Sequence, residues 1–535
     1  MAIKHKLTTE AFLSAPRRGP AVPSPSGRIA FHTVSTHTFG EGTKKEVILI
    51  DLGSGTQWSI SDDDRVHDVN WLPGVSPDTL VWLVSTEIGF TEVRTVVAPA
   101  ADAEEPPQPV LAGVIPAPAQ ALKLKDLENG EIAFAVVALA DTHGGLYNEK
   151  TAPKPASSAR IYDDLRVREW DTYRPAQKYA IFYSRLYRDY QWKVGPVQNA
   201  LRDTDFEAPD NVYQPGDVTD AYDLSANGIV FISKLLRPED PIQWDCSAVF
   251  YVPIESFSHG TTYKPTEIAL QGGPFAGACS NVRFSPDGSM IAFLKAPLKC
   301  PADTRLHMGH VGSDTAVDVF QAVVGATWHL VPGSFEFAPG GQSLFVAAED
   351  CGREALFELA LQHRAEPKQL VGHGSVAAFY PVADQDDGQK NLLLVSGSSF
   401  VESSWYELVD RDQVFESRVV STANRDGARF GLSHKVQVSD LWFEGGGDYV
   451  VQAWVVKPSD FDENKKYPVA LWIHGGPADS WKDAWHTRVS RLGLWSATNL
   501  IRGTVERGTL GRAGLRRGDA QLLGKHGVRR QSCRK

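Results

Sequence analysis

At 535 residues the chain is too long for one ordinary core, while 42% hydrophobic and 22% charged residues are usual for a globular protein. A net charge of −11 argues against nucleic acid as the main partner. No run approaches the ~18 apolar residues of a membrane span, so no membrane partner is expected either.

The N-terminus, Met1 to Arg18, has no apolar stretch of the kind that marks a secretory leader, which gives a cytoplasmic expectation. One pattern then recurs along the chain: a turn rich in Ser, Pro, Asp and Gly, followed by a short apolar strand. It occurs at Ser24-Pro-Ser-Gly27 before Arg28–Phe31, and at Trp71-Leu-Pro-Gly74 before Leu80–Leu83. It returns at Asn129-Gly130 before Glu131–Val136 and at Ser225-Ala-Asn-Gly228 before Ile229–Ile232. Phe284-Ser-Pro-Asp-Gly288 before Ser289–Leu294 is the clearest. Phe337-Ala-Pro-Gly-Gly341 before Gln342–Val346 and Asp386-Asp-Gly388 before Leu392–Val395 complete the set.

Asp-Gly and Asn-Gly supply the positive φ of a tight hairpin turn. A four-stranded blade cannot bury both of its faces alone, so such units stack around an axis. Seven candidate units predict a mainly β protein, with a propeller favoured over a β-sandwich array or unrelated strands that share common turns. The stretch from Val97 to Pro118, Ala/Pro/Glu-rich around Ala98–Pro107, reads as an exposed loop. The longer gap from Gly130 to Ser225 reads as an insertion or an elaborated blade.

From Leu441 the pattern changes. Tyr449–Val456 reads as a strand ended by Lys457-Pro458. Tyr467–Ile473 is almost wholly apolar, as expected of a strand covered on both faces, and runs into His474-Gly475-Gly476-Pro477. An apolar strand feeding His-Gly-Gly-Pro is the sequence form of an oxyanion loop in α/β-hydrolase serine enzymes. Backbone N–H donors there hold the charge of a tetrahedral intermediate, and losing one costs about 3 kcal/mol. Gly476 is the first candidate for the donor and Gly475 the second, with His474 bracing the loop.

The residues around this loop, Tyr467–Pro477 and Asp479–Arg488, resemble the fungal dipeptidyl-peptidase V group, in the acylaminoacyl-peptidase branch of the prolyl oligopeptidase family. The resemblance extends to Thr9–Arg18, Pro23–Gly27, Lys154–Asp163, Arg168–Asp171 and Glu349-Asp-Cys-Gly-Arg353. It implies a seven-bladed propeller followed by an incomplete α/β-hydrolase domain. The implied divisions are an N-terminal segment at 1–20 that packs with the hydrolase domain in relatives, a propeller at 21–430, the start of the hydrolase domain at 431–488 and a tail at 489–535. It also implies a serine exopeptidase that releases N-terminal dipeptides through an acyl-enzyme, with short peptides as substrates of full-length relatives.

The tail departs from that pattern. Val489–Lys535 carries nine Arg and two Lys against Glu506 and Asp519, and it holds no recognisable catalytic element. Translation in another reading frame is the leading explanation, and a genuine basic tail the competitor. Gly-x-Ser-x-Gly is absent from all 535 residues, so no catalytic residue is assigned and the chain itself is expected to be inactive. A propeller that binds peptide or protein partners without catalysis is the alternative. The anchor for a substrate amine is not evident; Asp163, Asp164, Glu169 and Trp170 are candidates by composition alone.

There is no His-Glu-x-x-His, Walker A or Gly-x-Gly-x-x-Gly signature, so no metal or cofactor is expected. His307 and His310 lack a nearby third ligand and read as surface. Cys246, Cys279, Cys300, Cys351 and Cys533 are far apart with no CxxC pair, and read as free thiols in a reducing compartment.

Overall fold

The computed structural model describes residues 9–485, apart from 104–107, 155–156, 163–166, 170–171, 174, 209–217, 236–245, 271–276, 298–302, 314, 321–327, 363–365, 384–390, 447–448, 459–460 and 475–479. Most of it is a β-propeller. Blade 1 runs Val22–Pro23, Ile29–Thr38, Gly42–Asp51 and Gln57–Ser61, with Arg17–Arg18 added beside Ile29–Thr38. Blade 2 is Val66–Trp71, Thr79–Ser85, Thr91–Val97 and Val110–Ile115. Blade 3 is Ala119–Asp126, Ile132–Ala140, Lys178–Asp189 and Gln191–Val194, and blade 4 is Tyr222–Ser225, Gly228–Lys234, Ser247–Pro253 and Thr266–Glu267. Blade 5 is Gly277–Phe284, Met290–Pro297, Arg305–His310 and Thr315–Asp318. Blade 6 is Pro332–Phe337, Ser343–Asp350, Arg353–Ala360 and Lys368–Val371; blade 7 is Ser375–Pro381, Leu392–Ser398, Trp405–Asp410 and Arg418–Thr422.

The recurring turns fall where the repeat reading needs them, between the first and second strand of each blade; the seventh, Asp386–Gly388, lies outside the described residues. The second strands are the most apolar because both faces pack. Ile132–Ala140 is buried at all but one position, and Gly228–Lys234 throughout. From blade 2 to blade 6 each first strand touches the next, as do those of blades 7 and 1, and so they surround the axis. Several carry a bulge at a comparable place, between His67 and Asn70, Gln120 and Lys123, and Ser280 and Arg283. The extra residue there adopts positive φ at Asp68, Ala121 and Asn281.

The loop reading of 97–118 needs correction, whereas the insertion reading of the long gap agrees with the structure. The stretch 97–118 is not simply a loop: Val110–Ile115 is the outer strand of blade 2, and Ile115 and Ala117 are fully buried. The Ala/Pro-rich connection ahead of it concealed a short apolar strand. The long gap in blade 3 is an excursion from Ala140 to Lys178, between its second and third strands.

Blades 1 and 7 each take all their strands from their own stretch of chain, so no shared ladder joins the ends of the ring among the described residues. Side chains close it instead. Ala21, Ala30, Ile50 and Leu52 pack on Leu394, Tyr406 and Leu408. Ala21 N–H donates to Ser396 Oγ at 3.0 Å, and Tyr406 Oη to Gly19 O at 2.7 Å. The Arg18 guanidinium lies 3.9 Å over the Tyr406 ring. Gly27 has φ +70°, and a Cβ there would come within 2.2 Å of Ala383 O, so only glycine fits this part of the seam.

After blade 7 a short helix, His434–Gln437, leads into the antiparallel pair Val438–Glu444 and Val450–Val456. The expected apolar strand over 467–473 does not form, and Trp472 and Ile473 stay 43% and 44% exposed. A strand needs neighbours for its N–H and C=O groups, and the adjacent sheet has two strands only.

Candidate functional site

His474, at the head of the predicted oxyanion loop, is half-buried; Gly475, Gly476 and Pro477 lie outside the described residues. The segment that follows is firmly held. Asp483 is 1% exposed. Its Oδ1 accepts from Phe400 N–H of blade 7 at 2.8 Å, and its Oδ2 lies 2.7 Å from His434 Nε2. Its own N–H donates to Gly352 O of blade 6 at 2.7 Å. A buried carboxylate is tolerable only with such partners. Trp485 stacks between Phe12 and Phe430, at 4.9 and 6.3 Å, and so ties in the N-terminal helix Thr9–Leu13.

The blade 6 hairpin between Ser343–Asp350 and Arg353–Ala360 is the receiving surface. Its turn uses positive φ at Cys351 (50°) and Gly352 (72°). A Cβ on Gly352 would meet Trp454 Nε1 at 2.8 Å. Arg353 donates to Asp440 at 3.0 Å, and its guanidinium sits 4.5 Å over the Trp454 ring. Lys482 pairs with Glu354 and approaches Glu349 at 3.9 Å. Burial raises the pKa of Glu354, and Lys482 only partly offsets this. Trp454 Nε1–H donates to Trp481 O at 2.7 Å. The sequence motif Glu349–Arg353, noted only for its resemblance, thus contacts the segment after the loop.

A second cluster surrounds the axis. Arg283 of blade 5 donates to Asp220 at the start of blade 4 and, at 2.8 Å, to Glu336 of blade 6. Burial works against its charge, but Glu336, Asp220 and Asp223 outweigh burial and hold its pKa above the ordinary value. Burial, then the nearby Arg283, lowers the pKa of Lys123 on blade 3. Burial and the Glu336 charge push Tyr380 of blade 7 up to about 12. No local pattern marks this collar, because its members are about 40 to 100 residues apart and meet only when the ring closes.

Of the residues considered for a substrate amine, Asp163, Asp164 and Trp170 lie outside the described residues. Glu169 belongs to the small pair Arg168–Glu169 and Thr172–Tyr173. His307 is not surface: it is 6% exposed and stacks on Phe293 at 5.7 Å, and burial lowers its pKa. No metal-binding group of three His, Cys, Asp or Glu occurs among the described residues. No helix among them is long and apolar enough to cross a membrane. Cys246 and Cys279 are free and buried as expected, but Cys351 is disulfide-bonded, which corrects the free-thiol reading at that position.

No protein-family profile matches the chain. Curated relatives do: dipeptidyl-peptidase 5 of Trichophyton schoenleinii is 33% identical over 499 residues, 90% of this chain and 65% of its own. The probable dipeptidyl-peptidase 5 of Aspergillus clavatus is 30% identical over 508 residues, 90% of this chain and 66% of its own. The chain therefore spans about 65% of the length of the curated relatives it matches. Among solved structures, an acylaminoacyl peptidase in complex with Z-Gly-Gly-Phe-chloromethyl ketone superposes with TM-score 0.62 at 10% identity, covering 92% of this chain and 65% of that one. The acylaminoacyl peptidase of Pyrococcus horikoshii gives 0.59 at 11% identity, over 91% and 64%.

Proposed function

From a chain that is a homologue of the fungal dipeptidyl-peptidase 5 proteins, within the prolyl oligopeptidase family, over 90% of its length, we propose a serine-type exopeptidase lineage that releases N-terminal dipeptides through an acyl-enzyme. That homology, continuous through the His474–Pro477 loop, carries the reading. In this lineage a serine activated by histidine attacks the peptide carbonyl. The loop places a backbone N–H, that of Gly476 or else Gly475, where the oxyanion develops. His474 braces the loop. The propeller shields the site and restricts it to short peptides.

These 535 residues contain no Gly-x-Ser-x-Gly, and this favours a second reading for the chain taken alone: a propeller that binds peptide without cleaving it. One experiment separates the two. The purified chain is treated with a fluorophosphonate probe and offered dipeptidyl chromogenic substrates. No labelling and no turnover are expected, together with retained binding of short peptides. Labelling at a single serine would overturn the binding-only reading and establish the chain as a peptidase by itself.

A further inference from the structure

In blade 5 a thiol and an amine are buried side by side, and neither takes part in the chemistry described above. We propose that Cys279 and Lys295 form an oxidation-dependent cross-link, in which a peroxide converts the thiol to a sulfenic acid and the lysine amine closes on the sulfur.

Cys279 lies on the first strand of blade 5, Gly277–Phe284, and Lys295 on the second, Met290–Pro297. The two residues stand directly opposite each other in the antiparallel ladder, which sets their Cβ atoms about 5 Å apart on one face. That face packs on blade 4, where Cys279 joins Val230, Ile232 and Val249 in one apolar cluster. Ser247, the first residue of the third strand of blade 4, receives both side chains. Its carbonyl oxygen accepts from Lys295 Nζ at 2.8 Å and from Cys279 Sγ at 3.4 Å. Its Oγ accepts from Cys279 N–H at 2.8 Å and so pins the backbone that carries the thiol. Cys279 is 2% exposed and Lys295 5%. Burial raises the Cys279 pKa, and the charge and a hydrogen bond of Lys295 partly offset this.

The same burial decides the product. A peroxide is close to water in size, whereas a bulky thiol such as glutathione cannot approach the sulfur, so the neighbouring amine is the group left to resolve a sulfenic acid. Thiol and peroxide give the sulfenic acid and one water, as two electrons pass from sulfur to the peroxide. The Lys295 nitrogen then bonds to sulfur, and the hydroxyl leaves as a second water. Of the two protons the ammonium gives up, one goes to that water and one to solvent. The product joins the first and second strands of blade 5, keeps one N–H for Ser247 O and removes a buried positive charge. A dithiol reverses it: the S–N bond breaks, thiol and ammonium return, and the dithiol closes to its own disulfide. Nothing in these steps requires the chain to be a peptidase.

The test is peptide mass spectrometry on the full chain after treatment with hydrogen peroxide, with the remaining thiols alkylated under denaturing conditions. The peptides carrying Cys279 and Lys295 are expected as one species, two hydrogens lighter than their sum, which dithiothreitol separates. Cys279→Ser should abolish that species. Lys295→Arg keeps a buried cation but lacks the amine that closes the bond. Dimedone, which traps sulfenic acids, should therefore label Cys279 in Lys295→Arg at least about tenfold more than in the wild type. Cys279 recovered fully alkylated, a disulfide from Cys279 to Cys246, or equal dimedone labelling of wild type and Lys295→Arg overturns the proposal. The wild-type mass decides the matter even where a variant fails to fold.

Discussion

His32 makes the seam between blades 1 and 7 sensitive to acid. It is 1% exposed, its ring lies 5.1 Å from Tyr406, and its Nε2 is 3.2 Å from Gln57 Oε1. Gln57 in turn donates to Ser421 Oγ at 2.9 Å, so imidazole and seam form one chain of bonds. Arg18 and Glu46 share the neighbouring cavity of about 370 Å³. Burial, reinforced by the Arg18 charge, lowers the His32 pKa from 6.5 to about 4. Between those two values the unfolded chain holds a proton on this residue that the folded chain refuses. Stability from the neutral imidazole is therefore complete above pH 6.5 and is lost as pH falls towards 4. At about 1.4 kcal/mol per tenfold change in proton activity, that interval is worth about 3 kcal/mol. For roughly 400 folded residues this corresponds to about 4 °C in Tm. Thermal unfolding of wild type and His32→Gln, compared at about pH 7 and about pH 4, isolates the histidine from the general effect of acid. The wild type should lose about 4 °C more than the variant. Parallel losses would refute the reasoning.

Removing the Arg283 guanidinium as Arg283→Met should destabilise the ring by about 2 kcal/mol. This is less than a fully buried pair would lose, because the Asp220 and Glu336 side chains are 37% and 34% exposed. Adding Asp220→Asn and Glu336→Gln should recover most of the loss, which a denaturant midpoint series would reveal. Gly27→Ala should cost about 3 kcal/mol from its φ of +70° and its collision with Ala383 O, again read by the midpoint. Phe134→Ala, fully buried in the second strand of blade 3, should cost about 3–5 kcal/mol by opening a cavity.

The repeat was legible because a tight turn constrains its residues locally. Asn227-Gly228 and Pro286-Asp-Gly288 keep their chemistry whichever strands they join. What depended on distant partners was not legible. Val110–Ile115 is a strand because Thr91–Val97 pairs with it, whereas Tyr467–Ile473, comparably apolar, is not, for want of a neighbour. His307 gave no sign of burial because Phe293, which covers it, is on the adjoining strand. Asp483 and Gly352 stand 131 residues apart in sequence and meet only where the blade 6 turn receives the trailing segment.

Because every blade is made from one unbroken stretch of chain, synthesis can complete them in order from the N-terminus. Each new blade finds its predecessor already standing, and the pairings within it span tens of residues. Only the last step, Ser396 and Tyr406 meeting Gly19 and Ala21, must bring together residues more than 370 positions apart. Loop-closure entropy grows only logarithmically with length, so that final meeting is slow to find yet not much more unfavourable than a shorter one. A nascent chain would thus emerge as an open arc of finished blades, whose exposed end faces wait for the seventh.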